Sequence, residues 1–177
     1  MKDYTLSQLR HLDAGAWFNP RFAGERIPTL EDVLALARDR LLVNVEIKNL
    51  PYRYAGIEAR LLAAIRQNAF PLDRLIVSSF DHESLIRIQA MEPRVTVAAL
   101  FVHYPGSLNG LPGKLLHPHW TVVDEQFVQK ARAANRPINV WTANEPDDWE
   151  RLLRFGVNDI LTDHPERLKV WLAQRAG

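Results

Sequence analysis

The 177-residue sequence contains no cysteine and no long apolar run. The absence of cysteine excludes disulfide bonds, thiolate metal sites and a cysteine nucleophile. No stretch approaches the roughly 18 consecutive apolar residues of a transmembrane helix, and the start of the chain lacks the apolar core of a signal peptide. These absences predict a soluble, cytoplasmic protein without a membrane span.

An excess of charge of one sign is also lacking. The 22 lysines and arginines nearly balance the 21 aspartates and glutamates, and the formal net charge is +1. Nucleic-acid binders and polybasic membrane segments concentrate positive charge, so neither kind of partner is expected, whereas a phosphate site needs only local charge. A content of 47% hydrophobic and 24% charged residues predicts one globular domain over residues 1–177.

From residue 29 onward, segments with helical spacing alternate with apolar, β-branched segments. The first helix follows Thr29, a natural N-cap, and has apolar residues three and four positions apart. The predicted strands are Leu41–Ile47, Leu75–Ser79, Val95–Phe101, Lys114–His117, Ile138–Thr142 and Asn158–Thr162. Five later helices are predicted. The first contains Ile57–Ile65, the second follows Asp81 as its cap, and the third spans Asp124–Ala134. The fourth follows Asn144 as its cap, and the fifth spans Pro165–Gln174. This alternation is typical of parallel β/α units.

Six strands are too few to close the eight-stranded barrel that adjacent parallel strands usually form. The sequence therefore predicts either an open sheet, whose edges need cover, or a barrel with two further strands upstream of Met1. The segment Tyr104–Gly113 contains two prolines and three glycines. It is predicted to be a long loop that could cover a site.

The first predicted strand ends in a carboxylate and an ammonium group, Glu46 and Lys48. Side chains at positions i and i+2 of a strand share one face, so these two groups point the same way, roughly 7 Å apart along the strand. The carboxyl end of a buried parallel strand is where α/β proteins place their chemistry. The pair is therefore a candidate active site. The alternatives are a structural salt bridge and a Schiff-base aldolase lysine at position 48.

Six segments together resemble the glycerophosphodiester phosphodiesterase family of phospholipase-C-like (β/α)8 barrels. In chain order they are Leu12–Trp17, Gly24–Leu30, Val45–Lys48, Ser78–Phe80, Val140–Asn144 and Gly156–Asp163. The order and spacing of the six segments indicate the family more specifically than any single segment does. The resemblance implies an α/β fold of the TIM-barrel family, here an incomplete barrel of about six parallel β/α units whose first strand corresponds to the third of eight.

The resemblance also implies an activity, which is the metal-dependent hydrolysis of small glycerophosphodiesters to an alcohol and glycerol 3-phosphate. Glu46 would bind the divalent metal, Mg²⁺ or Ca²⁺, and Lys48 would be the catalytic residue that stabilises charge on the phosphoryl oxygens. The expected substrate-binding residues are Phe80, His117 and Trp141. Of these, the two aromatic residues would line the pocket for the glycerol moiety, and the histidine would face the mouth of the barrel.

The sequence also departs from the family. Family members open with a histidine-arginine-glycine motif on the first strand, a glutamate-x-aspartate motif on the second, and a histidine-aspartate motif on a following hairpin. None of these three motifs occurs on or beside a predicted strand of this sequence, so the two catalytic histidines and two metal-binding carboxylates that they contain in the family are missing here. We therefore expect the chain by itself to be nearly inactive. The alternative function is a non-catalytic truncated barrel that binds a phosphorylated ligand or self-associates through open sheet edges.

Overall fold

The computed structural model describes residues 3–175. Its helices are α1 (Leu6–Arg10), α2 (Leu30–Ala37), α3 (Ile57–Gln67), α4 (His82–Met91), α5 (Glu125–Ala133), α6 (Pro146–Phe155) and α7 (Pro165–Arg175). Its strands are β1 (Val43–Glu46), β2 (Leu75–Ser79), β3 (Thr96–Phe101), β4 (Leu115–Pro118), β5 (Asn139–Val140) and β6 (Asp159–Ile160). The predicted alternation of helices and strands is confirmed. Across residues 3–175, no helix is both long and apolar enough to cross a membrane.

The strands follow one another in chain order and are all parallel. Strands β1 to β4 form one sheet, and β5 pairs with β6. Two parallel bridges, Leu116 to Ile138 and His119 to Trp141, continue the order from β4 to β5. In the described part of the chain, β1 pairs only with β2, and β6 pairs only with β5. The sheet is thus the predicted incomplete barrel.

Several strands are shorter than predicted, and β1 shows why. The prediction placed the strand over Leu41–Ile47, but the ladder begins at Val43, opposite Leu75, where β2 itself begins. Leu41 and Leu42 precede the ladder and are exposed. A parallel ladder extends only as far as its partner strand, and the partner's limits are not visible in a local apolar run.

The core lies between the strands and the helices, because side chains alternate along each strand. On β2, Val77 packs against the helices, whereas neighbouring Ser78 points the other way, into the barrel. One buried cluster joins β1, β2 and β3 to α2, α3 and α4, and a second joins β4, β5 and β6 to α5, α6 and α7. The alternation leaves a second set of side chains facing the barrel interior and its mouth.

The connection between β3 and β4 has no helix, as the prediction of a loop over Tyr104–Gly113 requires. The Arg136 guanidinium, which precedes β5, donates hydrogen bonds to the carbonyls of Leu111, Pro112 and Gly113 at 3.2, 3.1 and 2.8 Å, and also to that of Leu108. Burial lowers the pKa of this guanidinium. One side chain thus satisfies the carbonyls of a segment that has no secondary structure of its own.

The two predicted caps, Asp81 and Asn144, use their side chains elsewhere. Asp81 is the N-cap residue of α4, but its carboxylate makes no capping hydrogen bond. The N-cap of α6 is Glu145, so the capping interpretation of Asn144 is wrong. The Asn144 side chain instead receives a hydrogen bond from Thr162 at 3.0 Å and donates one to Asp163 at 2.8 Å. It therefore ties the end of β5 to the end of β6, because its side chain faces the neighbouring strand rather than the helix.

Candidate active site

Glu46 and Lys48 form an ion pair at the carboxyl end of β1. Lys48 Nζ lies 3.8 Å from Glu46 Oε2, and the two side chains are 79% and 32% exposed. Because Val45 and Ile47 pack against the helix layer, the alternating pair points to the barrel side. An ion pair this exposed stabilises a fold by at most about 1 kcal/mol. Stability alone therefore does not account for two opposite charges at the mouth.

Phe80 and Trp141 lie in contact just after the carboxyl ends of β2 and β5. Their rings lie edge to face, with centroids 5.6 Å apart. Trp141 also donates a hydrogen bond from Nε1 to the carbonyl oxygen of His117 at 2.7 Å, which fixes the orientation of the indole. Phe80 remains 40% exposed, so its ring is available to a ligand.

The strand register relates this aromatic pair to the ion pair. Glu46 lies opposite Ser78 in the ladder between β1 and β2. Lys48 and Phe80 each follow two residues after this last pair, just beyond the carboxyl ends of β1 and β2, and neighbouring strands run about 4.8 Å apart. The ammonium group of Lys48 and the aromatic rings of Phe80 and Trp141 therefore lie at the same end of the barrel.

His117 lies deeper than the sequence suggested. It is 1% exposed, and its Nδ1 has no hydrogen-bond partner. Burial lowers the pKa of this imidazole to about 4. His117 is therefore neutral at physiological pH and can offer a hydrogen bond there but not a positive charge.

We expect His117 to make the fold sensitive to acid. Between its folded pKa of about 4 and the ordinary value, the unfolded chain binds more protons than the folded one, so stability falls as the pH falls. Between about pH 7 and pH 4.5, wild type should lose about 2 kcal/mol more stability than His117→Gln. Urea unfolding at both pH values measures this difference. The exposed His103→Gln serves as the control and should lose as much as wild type, and an equal loss in all three proteins would contradict the prediction.

Across residues 3–175, no group of three or more His, Asp or Glu side chains is arranged to hold a metal ion. Glu46 offers one carboxylate at the mouth, 32% exposed and paired only with an exposed lysine. Mg²⁺ commonly takes one or two protein carboxylates and completes its shell with water and phosphate oxygens, whereas Ca²⁺ takes more protein oxygens. The chemistry of this donor thus fits a partly hydrated Mg²⁺ better than a closed cage.

Two features of the mouth were not predicted. The first is His119, whose ring lies 4.9 Å from that of Trp141 and whose Nδ1 is 2.7 Å from Thr121 Oγ1. Its spacing two residues after His117 is the sequence signal that places it on the same side of β4. The second is Asn49, whose contacts lie on the helix side of β1, and its sequence context gave no signal.

Comparison with known proteins identifies relatives along the whole chain. A model of the glycerophosphoryl diester phosphodiesterase family matches residues 1–167. A glycerophosphodiester phosphodiesterase of Caldanaerobacter subterraneus subsp. tengcongensis is 37% identical over 182 aligned positions, which cover 100% of this chain and 74% of the relative. Another from Bacillus altitudinis is 34% identical, covering 94% of this chain and 71% of the relative.

A solved structure is similar over almost the same range. An Oleispira antarctica phosphodiesterase, in complex with the product sn-glycerol-3-phosphate, superposes with a TM-score of 0.87 at 25% identity. The match covers 97% of this chain and 72% of that chain. The incomplete barrel described above therefore has the same arrangement as most of a phosphodiesterase barrel.

Proposed function

Because the chain belongs to the glycerophosphoryl diester phosphodiesterase family, we propose that its barrel mouth holds the glycerol phosphate part of a glycerophosphodiester. The family's reaction is hydrolysis of such a diester to an alcohol and glycerol 3-phosphate. The observation that carries the proposal is the placement of Glu46 and Lys48 on one side of the mouth and of Phe80 and Trp141 beside them. The glycerol 3-phosphate bound to the Oleispira phosphodiesterase supports this choice of ligand.

Lys48 is the proposed catalytic residue. Its ammonium group is held only by an exposed pair with Glu46, so it can turn to a phosphoryl oxygen at little cost. A charge-assisted hydrogen bond to phosphate is stronger than a neutral one, and it strengthens further as negative charge develops on the phosphoryl oxygens. Lys48 therefore acts by stabilising charge rather than by moving a proton.

Phe80, Trp141 and His117 are the proposed substrate-binding residues. The edge-to-face pair of aromatic rings offers an apolar wall to the carbon atoms of glycerol. His117 fixes the indole through its carbonyl oxygen, and its buried, neutral ring has one unpaired nitrogen. That nitrogen can accept or donate one hydrogen bond to a ligand hydroxyl or to a water molecule that reaches the interior.

Glu46 is the proposed ligand of a divalent cation, Mg²⁺ or Ca²⁺, with Mg²⁺ the better match to a single carboxylate. A bound cation would neutralise charge on the phosphate. Without a cation, the Glu46 carboxylate and the phosphate repel each other, and Lys48 at 3.8 Å offsets part of that repulsion. The carboxylate therefore has opposite effects on phosphate binding in the presence and absence of the cation.

The opposite effects of the Glu46 carboxylate on phosphate binding, with and without the cation, provide a test of the site. In EDTA, Glu46→Gln should bind glycerol 3-phosphate more tightly than wild type. The gain should be up to about fivefold, which is the repulsion of two like charges roughly 4 Å apart in water. With saturating Mg²⁺, the same variant should bind about tenfold more weakly, because a metal ligand is lost. Isothermal titration calorimetry measures both constants. Asp73→Asn changes an exposed residue of the short 3-10 helix Leu72–Arg74, before β2 and at the other end of the strands. It removes the same charge and should change neither constant. Equal shifts of Glu46→Gln under both conditions would contradict the assignment.

Other predictions from the sequence stay proposals. The free edges of β1 and β6 in the described residues favour self-association, because unpaired strand edges are available to another chain. Light scattering that gives a monomer at working concentrations would contradict it. The cytoplasmic location and the single domain over residues 1–177 stay predictions as well. Membership of the family replaces the aldolase interpretation of Lys48.

A further inference from the structure

The helix side of β1 and β2 carries a buried polar network close to the mouth. We define the β1–β2 polar network as the side chains of Asn49, Glu58, Ser79, Asp81, Ser84 and Arg87. Five of these six residues are buried, and Arg87 is the partly exposed one. Buried polar groups are costly unless they are paired, and a fully paired network fixes the segments that it joins.

The network connects the end of β1 to the end of β2 at two points. Ser79 Oγ donates to the carbonyl oxygen of Ile47 at 2.7 Å and accepts from the Asp81 amide at 3.0 Å. Asn49 Nδ2 donates to Asp81 Oδ2 at 3.1 Å, and Asn49 Oδ1 accepts from the Tyr54 amide at 2.6 Å. The backbone is thus fixed on both sides of position 48 and on both sides of position 80.

The network contains two buried carboxylates, those of Asp81 and Glu58, and both have a lowered pKa. Burial opposes ionisation of Asp81, but hydrogen bonds from Ser84 and Asn49 and the charges of Arg53 and Arg87 outweigh it and lower its pKa. The same balance of burial against contacts with Ser84 and Arg87 lowers the pKa of Glu58. Both carboxylates are therefore ionised at neutral pH and accept the hydrogen bonds of the network in their charged form.

The alternation of side chains relates this network to the mouth. Along β1, the fixed residues Ile47 and Asn49 flank Lys48, which points the other way. Along β2, the fixed residues Ser79 and Asp81 flank Phe80. We propose that Asn49, supported by Asp81 and Ser79, is a positioning residue that sets the reach of Lys48 and the orientation of Phe80 toward the ligand. This proposal rests on the proposed function of Lys48.

The test is a double-mutant cycle on glycerol 3-phosphate binding, measured by calorimetry. Asn49→Ala should weaken binding about tenfold, because a small displacement of the cation loses most of its benefit. In the Lys48→Met background, Asn49→Ala should add less than about twofold, since the group it positions is gone. Val128→Ala, which removes buried volume in the second core, is the control for lost stability and should leave binding unchanged. Equal effects of Asn49→Ala in both backgrounds would overturn the proposal.

A second readout does not depend on ligand binding. Hydrogen exchange over residues 46–50 should become faster in Asn49→Ala and in the milder Ser79→Ala, but not in Val128→Ala. If wild type does not bind glycerol 3-phosphate, the proposed function fails, and exchange still decides whether the network holds the end of β1. Unchanged exchange in both network variants would overturn the positioning role. If Asn49→Ala does not fold, Ser79→Ala replaces it in the cycle with the same expectations.

Discussion

Incubated with Mg²⁺ or Ca²⁺, the purified chain should hydrolyse glycerophosphocholine about a thousandfold more slowly than the Caldanaerobacter relative, because general acid–base catalysis typically contributes about 10² to 10⁴. Hydrolysis requires one group to deprotonate the nucleophile and another to protonate the leaving alkoxide. Lys48 supplies a positive charge at the mouth. His117 is buried with a pKa of about 4, too low for a general acid at neutral pH. Among the described residues, Lys48 and His117 therefore do not provide a matched acid and base at the proposed phosphate site.

His119 is the residue to examine if the chain proves more active than expected. Its imidazole is partly exposed, and its ring lies 4.9 Å from that of Trp141. A rate within about tenfold of the relative would contradict the prediction. Loss of that rate in His119→Gln, with glycerol 3-phosphate binding retained, would then identify the acid or base that the chain supplies. Phosphate release or a coupled assay for glycerol 3-phosphate measures the rates.

An element of the fold was predictable where the sequence of that segment alone indicates its type and limits. Strand β2 has the predicted bounds, Leu75–Ser79, because it is buried on both faces and appears in the sequence as a short apolar run between turn residues. Strand β5 was predicted over Ile138–Thr142, but its ladder with β6 contains only Asn139 and Val140, and toward β4 it makes only the isolated bridges of Ile138 and Trp141. Local patterns report burial and spacing, whereas strand limits depend on partners far along the chain.

The residues of the candidate site were selected from the sequence on two grounds. Glu46 and Lys48 were selected because both lie at the end of one predicted strand, and Phe80 and Trp141 because their segments resemble the family. Asn144 was misread because asparagine suits both a helix cap and a side-chain bridge, and only the position of β6 decides between them. The hydrogen bond from Asn49 to Asp81 spans 32 positions, and no local spacing predicts such a contact.

Replacing Lys48 should produce the second large effect. Lys48→Met keeps an unbranched side chain of nearly the same length and removes its charge. Glycerol 3-phosphate should therefore bind about thirtyfold more weakly, since a hydrogen bond to a charged group contributes about 1.5–3 kcal/mol. Calorimetry measures the constants. Lys114→Met, the same change at an exposed residue just before β4, lies at the opposite end of the barrel and should leave binding within about twofold of wild type.

Salt and a second substitution separate a charge effect from lost packing. Because the Lys48 side chain is 79% exposed, its attraction for a phosphate is screened, so raising the ionic strength should weaken wild type more than Lys48→Met. Lys48→Arg keeps the charge but carries it on a planar group, and its affinity should lie between the two. If Lys48→Met and Lys114→Met bind alike at low ionic strength, the phosphate does not contact position 48. The ion pair with Glu46 would then be the structural salt bridge that remains as the alternative.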